Sequence, residues 1–388
     1  MCSPFFMLRH LAAFTVALLL SMQANAALIR VGPTEAVKHI SVAARLAQSG
    51  DVVEIQPGTY VGDVAVWRQK ELTIVGLGDG AVLDAHGQTA EGKAIWVIPD
   101  GNFHISNIAF QGARAPDRNG AGIRFEKGRL ELVNCRFRDN QMGVLTAHDP
   151  NAVLIIRDSL FVEAPHQKDV LPHLLYIGRI GRAEIWGSRF ERGYAGHLIK
   201  SRARETGLYY NMINDGPDGS ASYEVDLPNG GDVTMLGNII VQGENTQNPV
   251  VIAYGAEHAQ WSKNRLRLSH NTLVNAQWTG AWFLRVWKEK LPDAQVLAVN
   301  NLTVGAGILS MTNTGEFQGN YPALLSMLDD PAAMNFRLAT PGIYGGLISP
   351  AAGLGADLMP VMEFQRPRGT RSIASPERWS PGALQPEN

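Results

Sequence analysis

The sequence predicts an all-β fold, a right-handed parallel β-helix solenoid with an N-terminal capping helix. Three observations lead to this prediction: a short motif that recurs every 24 to 33 residues, alternating strand segments in front of it, and no long helical pattern after residue 50. A single repeat of this length cannot bury its own apolar face, so successive coils must stack to close a common core.

The motif is a polar or small residue, two further residues, and a large apolar residue. It occurs at Asn107–Phe110, Asn134–Phe137, Asp158–Phe161, Gly187–Phe190, Asn238–Val241, Asn271–Val274 and Asn301–Val304, and Asn211 begins an incomplete copy. The segments before it, such as Arg129–Val133, alternate with the period of a strand. Asparagines at the same bend of successive coils can stack their amides into a ladder. A β-propeller, the competing architecture, would need longer repeats of about 40 residues.

The N-terminal region combines an apolar helical stripe with two characteristic strands. The stripe covers residues 37–47, the sequence GDVVEIQPGTY follows at Gly50–Tyr60, and LTIVGLG follows at Leu72–Gly78. This succession resembles the start of pectate-lyase-like β-helix proteins, and the resemblance extends over residues 30–310. It implies a helix that plugs the open end of the solenoid and covers strand edges that would otherwise aggregate.

Residues 1–26 are expected to be a signal peptide. Arg9 precedes the apolar run Leu11–Leu20, and Ala24–Ala26 provides the small residues that signal peptidase recognises. The run is too short for a comfortable membrane span, which needs about 20 residues. We therefore expect a secreted or periplasmic protein whose mature chain has no membrane span.

The remaining chain is expected to form one solenoid with appended C-terminal segments. The β-helix domain is predicted over residues 27–315, a partial coil or cap over residues 316–365, and a flexible tail over residues 366–388. A formal net charge of −2 and the lack of a basic stripe argue against a nucleic-acid partner. Only Cys135 remains after signal cleavage, so no intrachain disulfide is expected. The oligomeric state stays open.

The densest group of ionisable strand residues lies between residues 194 and 260. Lys200, Arg202 and Arg204 alternate along one predicted strand and are expected to share a face. Glu224 and Asp226 alternate in the same way in the next coil. Because neighbouring strands lie about 4.8 Å apart, these cations and carboxylates are expected to be close together.

Two alignments of the coils are compatible with the sequence. Counting back from the bend residue stacks four ionisable groups in one column: His173, His197, Glu224 and Glu257. Aligning the apolar strand residues instead makes four other residues level, that is, directly paired on neighbouring strands: Ser201, Asp226, Tyr254 and Arg285. The loop lengths vary, so the sequence does not choose between the two.

Such a cluster suits β-elimination at the uronic acids of an acidic polysaccharide. The reaction needs a cation for the uronate carboxylate and a base whose protonated form is disfavoured by neighbouring cations. We assign catalytic roles to Lys200, Arg202 and His197, with Lys200 as the base. The predicted substrate-binding residues are Arg204, Tyr223, Tyr254, Glu257 and Arg285. Carboxylate oxygens suit Ca²⁺, so Glu224 and Asp226 are the predicted metal ligands.

A Glu-x-Asp pair near a lysine and an arginine is similar to the calcium-dependent alginate and chondroitin lyases of this fold, although its spacing and order differ. The characteristic motifs of the main pectate lyases, polygalacturonases and alginate epimerases are incomplete or missing. The favoured function is a polysaccharide lyase. The alternatives are a non-catalytic glycan-binding or cell-envelope solenoid, and an epimerase or glycoside hydrolase. Cross-strand salt bridges on a solvated face would also produce this charge pattern.

Overall fold

The structure, a computed structural model, describes residues 26–312, 315–340, 343–348, 356–374 and 376–386. The predicted signal peptide lies almost entirely outside the described residues, so it stays a prediction. Within the described part of the chain, no helix has the length and apolar character needed to cross a membrane.

Three long parallel sheets run along the solenoid, and the chain passes from one to the next in each coil. In the described residues, sheet A has 12 strands: β1 (Leu28–Val31), β2 (Val52–Ile55), β5 (Glu71–Gly76), β8 (Asn102–Ser106), β11 (Arg129–Val133), β14 (Val153–Arg157), β17 (Arg182–Trp186), β20 (Glu205–Tyr209), β23 (Asp232–Leu236), β26 (Arg265–Ser269), β29 (Gln295–Val299) and β32 (Glu316–Gln318). Sheet B has 11 strands: β3 (Gly58–Val61), β6 (Ala81–Asp84), β9 (Ile108–Gln111), β12 (Arg136–Arg138), β15 (Leu160–Val162), β18 (Arg189–Glu191), β21 (Met212–Asn214), β24 (Ile239–Gln242), β27 (Thr272–Asn275), β30 (Leu302–Val304) and β33 (Tyr321–Ala323).

Sheet C carries the candidate site. Its 10 described strands are β4 (Ala65–Val66), β7 (Ala94–Ile98), β10 (Ala121–Phe125), β13 (Met142–Thr146), β16 (His173–Ile177), β19 (Ile199–Ser201), β22 (Val225–Leu227), β25 (Val250–Tyr254), β28 (Ala281–Val286) and β31 (Gly307–Ile308). Outside the sheets lie helix α1 (Ile40–Leu46), the antiparallel pairs β34 (Leu328–Asp330) with β35 (Asn335–Leu338) and β36 (Met362–Phe364) with β37 (Thr370–Ser372), and short 3-10 helices at Leu325–Met327 and Ala356–Leu358. The predicted parallel β-helix is confirmed.

Helix α1 lies between β1 and β2, at the place where the apolar stripe predicts a helix. Ile40, Ala43 and Ala44 are its buried residues, and they belong to the main core. The Asp63 carboxylate accepts the backbone N–H groups of Ile40 and Ser41, at 2.6 and 2.9 Å. These bonds satisfy two N–H groups that the start of a helix leaves without an intrahelical partner.

Two side-chain ladders run through the interior along sheet B. Four phenylalanines stack in successive coils, with ring centroids 4.6 to 5.1 Å apart: Phe110, Phe137, Phe161 and Phe190. Five asparagines form an amide ladder in which each Nδ2 donates to the next Oδ1 at 2.8 to 2.9 Å: Asn211, Asn238, Asn271, Asn301 and Asn320. The predicted ladder is therefore confirmed in the second half of the solenoid.

The first half departs from the predicted ladder by one residue. Strand pairing makes Ser188, rather than Gly187, level with Asn211. Cys135 and Ser159 occupy the same inner position in earlier coils, and the Ser159 hydroxyl accepts the Cys135 backbone N–H at 3.1 Å. Asn107 and the other first-half motif residues instead form the preceding bend with positive φ, which is 57° at Asn107.

The C-terminal segments contact the outside of sheet B. Phe364 and Ala383 are buried in a second apolar cluster with residues of β21, β24 and β30, and the Ala383 backbone N–H donates to Thr272 Oγ1 at 3.0 Å. Ser380 and Gln385 are also buried. These contacts place part of the predicted tail against the solenoid, and the predicted partial coil contains the parallel strands β32 and β33. The predicted domain bounds stay a prediction.

Candidate functional site

One outward-facing row crosses five neighbouring strands of sheet C. Strand pairing makes its members level: Tyr176, Lys200, Asp226, Ala253 and Arg285. The residues one position earlier, such as Ile199 and Val225, belong to the apolar core. Because side chains alternate along a strand, the row must face away from that core.

An ion pair between Lys200 and Asp226 lies at the centre of the row. Lys200 Nζ donates to Asp226 Oδ2 at 2.8 Å, and the two side chains are only 11% and 3% exposed. The other carboxylate oxygen, Oδ1, is buried and has no hydrogen-bond partner among the described residues. Burial raises the pKa of the Asp226 carboxyl, although the Lys200 cation opposes the shift.

His197 lies beside this pair as a neutral ring. Its Nδ1 accepts the Tyr223 backbone N–H at 3.2 Å, so the hydrogen-bond network assigns the ring proton to Nε2. Nε2 lies 3.4 Å from Asp226 Oδ2. Burial, together with Lys200 and Arg202, lowers the pKa of His197 to about 3. His197 therefore has no free lone pair for accepting a proton, and it can act only as a donor or as a packing element.

The guanidinium of Arg202 is held by groups from three other coils. It forms a bidentate pair with the Glu257 carboxylate at 2.6 Å, and it donates from Nη1 to Asn229 Oδ1 and from Nε to the Tyr176 hydroxyl. The hydrogen bonds from Arg202 lower the pKa of Glu257. Tyr176 is a site residue that the sequence analysis missed. Tyr176 could have been found, because it lies one coil before Lys200.

A basic cavity of about 280 Å³ adjoins Arg202. Its lining residues are His148, Tyr176, Arg179, Arg202, Asn229, His258 and Gln260. Burial and the cations Arg179 and Arg124 lower the pKa of His148, so this ring is neutral at ordinary pH. Arg179 and Arg202 are the two arginines of this lining, and their charges favour an anionic group.

Arg285 ends the row on the C-terminal side. Its guanidinium carbon lies 4.5 Å from the ring centroid of Trp282 and 4.5 Å from that of Trp287. Tyr223 is half-buried, and its ring stacks on His197 with a centroid distance of 4.9 Å. Burial and Asp226 raise the pKa of the Tyr223 hydroxyl, while the charge of Arg285 opposes the shift. Tyr223 therefore lies within electrostatic reach of both charged groups.

Three predicted site residues lie outside this group. Glu224 is completely buried, and its Oε2 accepts a hydrogen bond from the Gln242 amide at 3.4 Å. Tyr254 is also completely buried, and its hydroxyl donates to the Gly231 carbonyl at 2.7 Å. Arg204 is exposed and lies 3.6 Å from Glu205. The predictions that Glu224 shares a face with Asp226, and that Tyr254 is level with it, are therefore wrong.

Each of the two predicted alignments is correct for two of its members. His173 and His197 stack with a centroid distance of 4.8 Å, but Tyr223 occupies the next position instead of Glu224. Asp226 and Arg285 share the outer row, whereas Ser201 and Tyr254 lie one position further along their strands and are buried. A one-residue shift moves a strand side chain to the opposite face, which explains both errors.

The site does not fit the predicted calcium ion. Ca²⁺ takes six to eight oxygen ligands, yet Glu224 lies in the interior and one oxygen of Asp226 is bound by a lysine. No group of three or more His, Cys, Asp or Glu side chains in the described ranges could hold a metal ion. Calcium binding stays a prediction without geometric support.

Comparison with known proteins supports the fold but names no family. No family model matches the chain, and no curated protein sequence matches it. The crystal structure of pectate lyase Pel9A aligns with a TM-score of 0.66 and 11% identity, over 94% of this chain and 97% of the other. The crystal structure of alginate lyase from Paenibacillus sp. str. FPU-7 aligns with a TM-score of 0.51 and 15% identity, over 77% of this chain and 97% of the other. The chain therefore has the right-handed parallel β-helix fold of the pectate-lyase-like kind.

Proposed function

We propose that the protein is a secreted polysaccharide lyase that cleaves uronate-containing glycans by β-elimination on the outer face of sheet C. The observation that carries the proposal is the position of Lys200, which has the Tyr176 ring 5.9 Å from its Nζ on one side and Asp226 on the other. Two of the solved structures with this fold are a pectate lyase and an alginate lyase, which supports a polysaccharide lyase activity.

The reaction requires three groups around one uronate. In β-elimination a base removes the C5 proton, a double bond forms between C4 and C5, and the C4–O4 bond breaks with protonation of the departing oxygen. Four of the five N–H groups of Arg202 are held by Tyr176, Asn229 and Glu257, which fixes the guanidinium. Its remaining Nη2–H can donate to the uronate carboxylate and stabilise the charge that develops there. Lys200 is the group placed to take the C5 proton at its Nζ.

Lys200 must be neutral when it acts as a base. Asp226 is 2.8 Å away, and burial favours the neutral form of its carboxyl, so Asp226 is the group placed to take a proton from Lys200 beforehand. The Tyr176 oxygen accepts a hydrogen bond from Arg202 Nε at 3.1 Å. Its own proton is then free for donation to the departing O4 atom.

The test is turnover on a panel of uronate polymers, including polygalacturonate and alginate, followed by the ultraviolet absorbance of the unsaturated product. We expect absorbance to rise with at least one polymer and Lys200→Ala to abolish the rise. Arg129→Gln, which changes an exposed arginine on sheet A, is the matched control and should retain activity. Wild-type turnover by Lys200→Ala would refute the assignment. New reducing ends or altered sugar stereochemistry without absorbance would instead identify a hydrolase or an epimerase.

A glycan-binding solenoid without turnover is the second candidate. It is favoured by the Lys200–Asp226 ion pair, which occupies the proposed base, and by the engaged ring nitrogens of His197. Retention of the wild-type protein on an immobilised uronate polymer, with no product from any polymer of the panel, would select this candidate.

A further inference from the structure

We infer that Arg285, held between Trp282 and Trp287, is a second carboxylate-binding subsite that binds another uronate of the same glycan chain. We call these three residues the arginine sandwich. The inference deepens the proposed function and rests on it for the class of ligand. It assigns the sandwich to substrate recognition at a distance from the reacting sugar.

The position of Arg285 places it on the same outer face of sheet C as Lys200. Both belong to the outer row of sheet C, with Asp226 and Ala253 on the two strands between them. Three strand spacings separate Lys200 from Arg285, which corresponds to about 14 Å along the solenoid axis. Ala253 carries only a methyl group, so no polar or charged side chain of the row separates Asp226 from Arg285.

The surroundings of Arg285 leave its charge available. Among the described residues, no Asp or Glu forms an ion pair with it, whereas Arg202 already has the Glu257 carboxylate. The two indole rings lie near the guanidinium carbon at 4.5 Å each, an arrangement that cation–π attraction stabilises. Stacking restricts the orientation of the guanidinium while its N–H edges stay able to bind a carboxylate in a bidentate geometry.

The same rings supply a second element of glycan recognition. Trp282, Trp287 and Tyr223 are all half-buried, so part of each residue stays accessible to a ligand. Sugar rings pack against such aromatic faces, and an aromatic side chain loses little conformational entropy on binding. A carboxylated sugar next to aromatic faces therefore matches both components of the sandwich, whereas a neutral sugar would match only the rings.

The test measures binding of oligouronates in the Lys200→Ala background, which removes turnover from the measurement. The probes are galacturonate and mannuronate/guluronate oligomers as disaccharides and hexasaccharides, together with a carboxyl-reduced hexasaccharide, all titrated by calorimetry. We expect Arg285→Gln to weaken hexauronate binding about tenfold or more, because a charge-assisted contact is lost. Disaccharide and carboxyl-reduced hexasaccharide binding should stay unchanged.

Two further variants separate the subsite from general damage. Arg285→Lys keeps the charge but loses the planar stacked fork, so it should bind the hexauronate with intermediate affinity. Arg129→Gln should bind like the Lys200→Ala parent. The inference would be overturned if Arg285→Gln weakened the binding of hexauronate and of the carboxyl-reduced hexasaccharide equally. It would also be overturned if Arg285→Gln left hexauronate binding unchanged, or if the parent did not bind hexauronate. If wild type turns over no uronate but Arg285→Gln still lowers hexauronate binding selectively, the lyase proposal fails and the subsite stands.

Discussion

The buried ion pair between Lys200 and Asp226 gives the sharpest prediction for stability. At 2.8 Å and an effective dielectric constant of about 20, the attraction between the two charges is about 6 kcal/mol before the cost of removing them from water. Removing one partner of a buried pair generally destabilises a protein by about 3 to 5 kcal/mol, because the other charge is left without compensation. Glu257 Oε1 remains 3.7 Å from Lys200 Nζ, so we expect the lower limit, about 3 kcal/mol, for Asp226→Asn.

The assay is urea denaturation followed by circular dichroism, which yields the free energy of unfolding of each variant. The matched control is Asp357→Asn, which removes the carboxylate that pairs with Arg267 but is 62% exposed. An exposed pair contributes about 1 kcal/mol or less, so this control should stay close to wild type. Lys200→Met combined with Asp226→Asn should recover most of the loss, because no unpaired charge remains. Equal effects of Asp226→Asn and Asp357→Asn would refute the assignment of a buried pair.

Two further predictions concern the interior. Asn271→Ala should lower the free energy of unfolding by about 2 kcal/mol or more, because the amide and backbone N–H groups of Asn238 lose their acceptor. Asn102→Ala, at an exposed position of β8, should cost less. Similar urea midpoints for the two variants would contradict the ladder. The second prediction concerns the Glu224 carboxyl, because burial raises its pKa well above the ordinary value. The folded protein then binds more protons than the unfolded chain, so wild-type stability should fall as pH rises above the ordinary carboxyl range, and Glu224→Gln should flatten that slope in melts between pH 4 and pH 8. Added calcium should shift the melting temperature of neither the wild type nor Glu224→Gln. A saturable rise in the wild type that is lost in Glu224→Gln would instead support the predicted calcium site.

The solenoid could be predicted because its signal is repeated in almost every coil. Phe110, Phe137, Phe161 and Phe190 recur at coil spacing, and the structure stacks them directly. The equivalence of the polar positions could not be read from the same motif. Asn134 and Asn211 both begin a motif, yet strand pairing makes Cys135, rather than Asn134, equivalent to Asn211. A bend residue with positive φ and an inner ladder residue can both be asparagine, so residue type alone does not separate them.

For the charged coils, the sequence predicted which coils bring charged side chains close together, but not which side chains meet. Alternation correctly indicates that Lys200 faces outward and that a carboxylate of the next coil lies beside it. Loop lengths decide which carboxylate that is, and they differ from coil to coil. Tyr176 was missed because it belongs to no charged pattern, although its hydroxyl accepts a hydrogen bond from Arg202.

The case of Glu224 shows where strand alternation ceases to apply. Asp226 lies inside β22, but the strand begins only at Val225, so Glu224 belongs to the corner between sheets B and C. Strand pairing makes Glu224 level with Leu174, Leu198 and Val251 in neighbouring coils, and all three are core residues. A corner position that is apolar in adjacent coils points inward whatever residue occupies it, because each coil is stacked on the next. A carboxyl at that position must be buried, and Asp226 is therefore the carboxylate of the pair that can take part in chemistry at the surface.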